Sequence, residues 1–424
     1  MKKFVIFIFL CFAFRAEAVE ENLSLHECLL LALNNHPSLR QAKGATRSAA
    51  AELERIKANN RVTANLTGSV QYNGNYDYWD DSYHREGLGL SASKTLFDNG
   101  RNRLQKEMQN EILKGSRQNE RQKQVKVTAD AKRAYYNLVL KILNREVEQE
   151  KVQNLEEHLK SAKGLYEVGQ SAYIDVTHAE SNLAEAKVSM LKAENDILLS
   201  QEALRVAMGL DSMGNLNLKL SSELTLPELN NDLEYLLTTA LNDRPDFLQA
   251  MHILRAREIN VKDASRSKSP TVTGEISTSI NKREGSRAEN DYSIGVSLRI
   301  PLADGGAAEA AIEAAKSQLE QQNAEIDTLR HQITYDVRSA ALSLLNAVQR
   351  VQSSQTGVKY SEENLTLAQG RYEVGAGNTI ELSDAVSQLA TSRYTFYQAL
   401  YDAQVARADL DEAMGHLPSE LEQE

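Results

Sequence analysis

The sequence predicts an α+β membrane protein that combines long helical hairpins with two β-hairpins. Three observations lead to this prediction: a unit of about 200 residues that occurs twice, four segments in which apolar and polar residues alternate, and two stretches of about 65 residues with almost no Gly or Pro. Alternation with a period of two is typical of a strand that has one apolar face, whereas a long stretch without helix breakers favours a helix.

The internal repeat extends through most of the chain. Four blocks recur in the same order at an offset of 206 to 208 residues: ALNNHPSLRQA (32–42) and ALNDRPDFLQA (240–250), LGLSASKTLFDNG (88–100) and IGVSLRIPLADGG (294–306), GLYEVGQSAYIDV (164–176) and GRYEVGAGNTIEL (370–382), and two Ala-Met-Gly closures (207–209 and 413–415). Solenoid repeats are only ~20–50 residues long, so this offset indicates a duplicated domain. We divide the chain into a signal segment at 1–18, a first repeat at 19–209, a linker at 210–231, a second repeat at 232–415 and a tail at 416–424.

The first eighteen residues have the pattern of an export signal. Lys2 and Lys3 precede an apolar run at 4–14, and Ala16-Glu17-Ala18 places small residues where a signal peptidase cuts. We expect cleavage after about Ala18, which leaves 45 basic and 58 acidic residues and a net charge of −13. Because nucleic acids select basic surfaces, we expect no nucleic-acid partner.

Four segments alternate with a period of two and predict strands at about 62–73, 87–96, 271–280 and 292–302. Each has about ten residues, the length that a tilted strand needs to cross a bilayer. A soluble sandwich would alternate in the same way, but two separate hairpins within a helical chain favour the membrane interpretation. Four strands cannot close a barrel, and open sheet edges are not tolerated in lipid. We therefore expect an oligomer, and three copies would supply enough strands for a water-filled lumen.

The stretches at about 99–165 and 303–370 predict helices of ~100 Å, at a rise of 1.5 Å per residue. Each YEVG sequence is followed by apolar or small residues at heptad spacing, and every second residue of this series is Ala or Ser. This pattern favours close, left-handed packing of helices. Each YEVG segment is thus predicted to be the tip of a long helical hairpin, remote from the strands. Gly169 and Gly375 are expected to take the left-handed conformation that such a tip requires.

Taken together, these features resemble the TolC-type outer membrane efflux proteins over essentially the whole chain after the signal. The resemblance rests on the duplicated halves, the ALxxxP opening of each half, the YEVG tips, and the sequences Asp98-Asn99-Gly100 and Asp304-Gly305 after the strands. It implies a homotrimer in the outer membrane of a Gram-negative bacterium, with a twelve-stranded barrel in the lipid and a twelve-helix tunnel in the periplasm. It also implies a passive exit duct of a tripartite efflux pump or type I secretion system, with a periplasmic adaptor and an inner-membrane transporter of the RND or ABC type as partners.

The resemblance assigns roles to individual residues. Glu381 and Asp384 match acids that form a constriction ring at the tunnel mouth, and such a ring attracts cations and repels anions. Asp175 and Tyr372 match positions that hold the closed tip through polar links between helices. Gly377 stands where some relatives place an Arg for such a link, so the resemblance does not determine which polar links hold the closed tip of this chain. Without the resemblance, the two acids could equally be solvated, and Asp175 could simply favour the start of a helix.

Other functions have less support in the sequence. After the signal only Cys28 remains, GLGLSA at 87–92 lies in a predicted strand and not in a dinucleotide-binding turn, and His26-Glu27 lacks the second His of a zinc-protease motif. We expect no enzyme activity, no cofactor and no metal site. The alternative is a periplasmic adaptor with a long coiled-coil hairpin, which would carry soluble β-domains instead of bilayer-length strands. A coiled-coil adhesin is disfavoured by the two separate hairpins, and the nature of the cargo stays open.

Overall fold

The computed structural model describes residues 24–75, 78–211, 224, 226–227, 232–418 and 421. The predicted signal at 1–18 and most of the linker at 210–231 lie outside the described residues. In chain order the described elements are α1 (Leu25–Asn35), α2 (Pro37–Ala58), β1 (Thr63–Asn75), β2 (Tyr78–Phe97), α3 (Arg101–Glu167), α4 (Tyr173–Ala207), α5 (Leu233–Asp243), α6 (Pro245–Ala264), β3 (Thr271–Arg283), β4 (Glu289–Arg299), α7 (Ala307–Glu373) and α8 (Thr379–Met414).

The predicted duplication is visible in the order of the elements. Each half contains two short helices, a β-hairpin, a helix of 67 residues and a returning helix of 35 or 36 residues. At 1.5 Å per residue, α3 and α7 are each about 100 Å long. Among the described residues, no helix combines the length and the apolar character that crossing a membrane requires.

Each half begins with two helices that meet at a proline. Pro37 starts α2 and Pro245 starts α6, where the missing backbone N–H costs nothing. The glycine of each Ala-Met-Gly closure packs against this junction: a Cβ on Gly209 would lie 2.6 Å from His36 Cα, and one on Gly415 would lie 2.6 Å from Pro245 Cδ. The first and the last block of each repeat therefore meet in space.

The predicted heptad positions of the returning helices are mostly buried. Burial of small side chains lets α4 pack along α3, and α8 along both α7 and α3. The buried heptad residues are Val176, Ala179, Leu183, Ala186, Ser200 and Leu204 in α4, and Leu382, Ala385, Leu389, Ala399, Ala403, Ala406, Leu410 and Ala413 in α8. Near the proline junctions the long helices form two equivalent cores, one around Leu29 and Tyr135 and the other around Leu236 and Val337.

The four strands form one antiparallel sheet in the order β1-β2-β3-β4. The two predicted hairpins are joined because β2 pairs with β3, for example Ser91 with Ser277. The strand ends differ from the sequence prediction, since β2 starts at Tyr78 and not near 87, and β4 spans Glu289–Arg299 and not 292–302. Residues 80–86 interrupt the apolar alternation, but the backbone ladder continues because its hydrogen bonds do not depend on side-chain type.

One face of the sheet is apolar, as the alternation predicts. Residues directly opposite each other share a face, and Leu66 pairs with Leu90 while Ile276 pairs with Ile294. The large apolar side chains of this face are 48–84% exposed in the protomer: Leu66, Val70, Tyr72, Leu88, Leu90, Ile276, Ile280, Tyr292, Ile294, Val296 and Leu298. The opposite face carries mostly Ser, Thr, Asn and Gly, together with charged residues such as Glu275 and Asp291. Within the described residues, the outer edges of β1 and β4 pair with no strand.

Candidate functional site at the hairpin tips

The first tip (residues 168–172) joins α3 to α4. Gly169 has a φ of 77°, and no atom lies within 4 Å of the position that a Cβ would take there. The backbone N–H of Gly169 donates to Tyr166 O at 2.9 Å, and that of Gln170 donates to Leu165 O at 2.8 Å. These bonds satisfy carbonyl groups at the end of α3, so the glycine serves backbone conformation and not close packing.

The second tip (residues 374–378) joins α7 to α8 in a similar way. Gly375 has a φ of 72°, and the N–H groups of Ala376 and Gly377 both donate to Arg371 O, at 2.8 and 2.9 Å. A Cβ on Gly377 would lie 3.1–3.2 Å from backbone and side-chain atoms of Arg371 and Tyr372. The glycine that departs from some relatives therefore lets the second tip fold closely against the end of α7.

Glu381 and Asp384 lie at the start of α8. Asn378 caps this helix by accepting a hydrogen bond from Glu381 N at 2.8 Å. Glu381 also forms an ion pair, since its Oε1 lies 3.1 Å from Arg371 Nε. Asp384 is exposed and lies three residues further on, so both acids project from the same side of the helix. No motif in the sequence indicates this ion pair; the one available signal is that Arg371 stands where the first copy has Leu165.

Tyr372 is buried against the first hairpin. Its ring meets His158 of α3 edge-on, with 5.1 Å between ring centroids. The Tyr372 hydroxyl is buried without a hydrogen-bond partner among the described residues of this protomer, so the polar links of the closed tip at Tyr372 and Asp175 stay a prediction. Both ring nitrogens of His158 are likewise unpartnered. Burial lowers the pKa of His158 below its ordinary value, and the nearby Asp175 carboxylate opposes this shift.

The two tips differ although their sequences repeat. Tyr166, the counterpart of Tyr372, is 46% exposed and contacts Tyr173 with 5.5 Å between ring centroids. Behind the tips all four long helices contribute to one apolar cluster, and Asn182 of α4 donates a hydrogen bond to Ser383 of α8 at 3.0 Å. Exposed apolar side chains lie in both tips and in the helix turns that follow them: Val168, Tyr173, Ile174, Val374 and Ile380.

These features define a class of protein. Two helical hairpins, each with a first helix of about 100 Å and a returning helix of about half that length, extend from a four-stranded sheet that has one apolar face. Their tips carry exposed acidic and apolar side chains. This is the architecture of a duct that starts in an outer membrane and extends far from it. The chain belongs to the outer membrane efflux protein family, which it matches over residues 29–210 and 236–416, one range in each repeat.

Individual relatives support this assignment. The chain is 23% identical over 338 residues to the outer membrane efflux protein BepC of Brucella suis, covering 78% of this chain and 73% of the relative. It is 21% identical over 392 residues to the cation efflux system protein CusC of Escherichia coli K12, covering 91% of this chain and 84% of the relative.

Solved structures show the same fold. The CmeC outer membrane channel of Campylobacter jejuni superimposes with a TM-score of 0.80 at 16% identity, over 92% of this chain and 85% of that one. The outer membrane channel OprN superimposes with a TM-score of 0.79 at 20% identity, over 92% of this chain and 89% of that one. The predicted family, fold class and function are confirmed: the protein is an efflux duct of the outer membrane. The alternative of a periplasmic adaptor is therefore set aside.

Proposed function

We propose that three copies of this chain form a passive exit duct, which an inner-membrane transporter of the RND or ABC type supplies through a periplasmic adaptor. This proposal is based on the four-stranded sheet, which has an exposed apolar face and two outer edges that pair with no strand in the part of the chain that the structure describes. An unpaired backbone group costs several kcal/mol in lipid, so the free edge of β1 must pair with the free edge of β4 from another copy. Three sheets paired in this way supply twelve strands.

The trimeric arrangement gives the second tip its role. With three copies around one axis, Glu381 and Asp384 of each copy would face the narrow end of the tunnel, and we call this ring of side chains the mouth. Carboxylates in a narrow passage favour cations over anions. Tyr372 and Asp175, together with the tips at Gly169 and Gly375, would hold the mouth closed, and dilation of the tips would open it.

The exposed apolar side chains at the tips suit a protein partner. Val168 and Val374 are 69% and 79% exposed, at the end of the molecule most distant from the sheet. Exposed apolar patches at a defined end of a molecule are typical of contact sites. A periplasmic adaptor that presents apolar helix ends would bury these residues. We further propose that the chain reaches the membrane after cleavage behind about Ala18.

The test is native mass measurement of the detergent-solubilised protein, followed by conductance recording in a planar bilayer. We expect three protomers per particle and discrete openings that prefer cations. Asp384→Asn should reduce this preference, whereas Glu363→Gln, which removes an exposed acid from the body of α7, should leave it unchanged. Monomers or dimers without openings would contradict the duct. Openings whose selectivity is the same in the Asp384→Asn protein would contradict only the acidic mouth.

A further inference from the structure

We propose that Arg371 sets the charge of the mouth, because it cancels Glu381 and leaves Asp384 as the only uncompensated acid that each protomer contributes. This inference rests on the proposed acidic mouth. It is based on the ion pair between Arg371 Nε and Glu381 Oε1, which are 3.1 Å apart on opposite sides of the second tip. A cation permanently placed beside one of the two acids halves the net negative charge of the ring.

The second tip holds both partners of this pair in place. The Arg371 guanidinium also donates from Nη2 to Ala376 O at 3.2 Å, so it is fixed to the backbone of the second tip as well as to the acid. On the other side, the backbone of Glu381 is fixed by the cap that Asn378 provides. Because Gly377 has no side chain, residues 376–377 can lie directly on the Arg371 backbone, and this brings the start of α8 within reach of the guanidinium.

The first tip lacks an equivalent pair. By the repeat offset, Leu165 stands at the position of Arg371, Asp175 at that of Glu381 and His178 at that of Asp384. The cation is thus a feature of the second copy alone, which is the copy that carries the proposed mouth. A residue needed only for the fold of a hairpin tip would be expected in both copies.

Arg371 is expected to affect ion selectivity because it cancels a negative charge, and not because the ion pair is strong. The Arg371 and Glu381 side chains are 59% and 40% exposed, so solvent screens their attraction and the pair adds little stability. Permeating ions nevertheless respond to the summed charge within roughly one Debye length, about 8–10 Å at physiological ionic strength. The mouth then has one net negative charge per protomer in place of two.

The test is the reversal potential of single channels under a salt gradient, which gives the cation-to-anion permeability ratio. Removing the positive charge with Arg371→Gln should roughly double the logarithm of this ratio, because the net charge of the ring doubles. Arg371→Lys keeps the charge and should behave like the native protein. The double variant Arg371→Gln/Glu381→Gln removes a neutral pair and should also return to the native ratio, whereas Glu381→Gln and Asp384→Asn should each lower the ratio toward one.

A matched control lies on the first hairpin. Lys163 and Glu180 form an ion pair of 2.8 Å with side chains that are 50% and 48% exposed, and Lys163→Gln removes the same charge near the same end of the molecule. We expect it to leave selectivity unchanged. If Arg371→Gln has no effect while Asp384→Asn lowers the ratio, the mouth stands and the role of Arg371 is refuted. If Lys163→Gln matches Arg371→Gln, or the double variant does not return to the native ratio, the role of Arg371 is also refuted. If neither acid variant changes selectivity, the proposed mouth itself fails.

Discussion

Four glycines with nearly the same backbone conformation allow packing to be separated from backbone strain. Gly169, Gly209, Gly375 and Gly415 all end a long helix, with φ between 69° and 77°. At Gly169 and Gly375 a Cβ would meet no atom within 4 Å, whereas at Gly209 and Gly415 it would meet backbone or ring atoms of the proline junctions at 2.6 Å. Alanine substitution at all four sites therefore imposes the same conformational penalty but a steric penalty at only two.

The magnitudes follow from these contacts. A residue with a Cβ in the left-handed region costs roughly 1–2 kcal/mol. Overpacking of a rigid contact adds about 1–3 kcal/mol, and here the neighbours are backbone and proline ring atoms that cannot rotate away. We expect Gly415→Ala and Gly209→Ala to destabilise the protein by about 2–5 kcal/mol, and Gly375→Ala and Gly169→Ala by about 1–2 kcal/mol.

The assay is thermal unfolding of detergent-solubilised protein, followed by helical circular dichroism at one fixed scan rate. Membrane assemblies commonly unfold irreversibly, so the comparison uses the order of the transition temperatures and not an extrapolated free energy. The Gly415→Ala and Gly209→Ala proteins should unfold at clearly lower temperatures than the two tip variants. Equal transition temperatures for Gly415→Ala and Gly375→Ala would refute the argument that the closures are selected for close approach to the proline junctions.

Three further outcomes are expected from other parts of the molecule. Because burial lowers the pKa of His158, the tip packing is fully stable above the ordinary His pKa and weakens as the pH falls through that value. Acidification from pH 7.5 to about 5 should therefore speed proteolysis at the tips more in the native protein than in the His158→Gln protein. An equal acceleration in both proteins would contradict this expectation. Ile294→Lys places a charge on the apolar face of the sheet and should cost about 2–4 kcal/mol of membrane insertion, measured as the folded fraction in vesicles, whereas Ser293→Lys on the opposite face should cost little. Arg133→Ala removes the ion pairs between α3 and two acids of α8, so it should lower the transition temperature more than Arg55→Ala, which removes an exposed ion pair within α2. An equal decrease in the transition temperature would show that the α3–α8 ion pairs add no stability.

The sequence predicts the elements that depend on periodicity and on backbone chemistry. The heptad pattern in α4 and α8 identifies residues that are buried, such as Leu183 and Leu389. The alternation identifies the apolar face of the sheet, because side chains on a strand point to opposite faces at every step. The length of α3 and α7 follows from the absence of Pro and the scarcity of Gly in these stretches. In each case neighbouring residues in the chain carry the information.

Side-chain pairs between distant segments could not be predicted in this way. His158 meets Tyr372 across more than 200 positions, and no period in the sequence connects them. The pairing of β2 with β3 is equally non-local, since the long hairpin of the first repeat lies between the two strands. The strand start at Tyr78 was missed because the backbone ladder continues through residues that do not alternate. The family resemblance indicated the positions of Glu381 and Asp384, but not the partner that Glu381 has.

The divergence of the two copies, more than their similarity, is what the proposed gate at the tips would depend on. Duplication gives both tips the same glycine-dependent backbone, but Asn378 caps α8 where Ala172 provides no side-chain cap to α4. The cap, Arg371 and the burial of Tyr372 all order the second tip, whereas the first tip leaves its tyrosine exposed. A gate needs one part that moves against another that holds its shape. The second tip has more fixed contacts and also carries both acids of the proposed mouth, so we expect dilation to separate the second hairpin from the first as a unit. The ring contact between His158 and Tyr372, whose polar atoms have no hydrogen-bond partner among the described residues, should then break before the ion pair between Arg371 and Glu381.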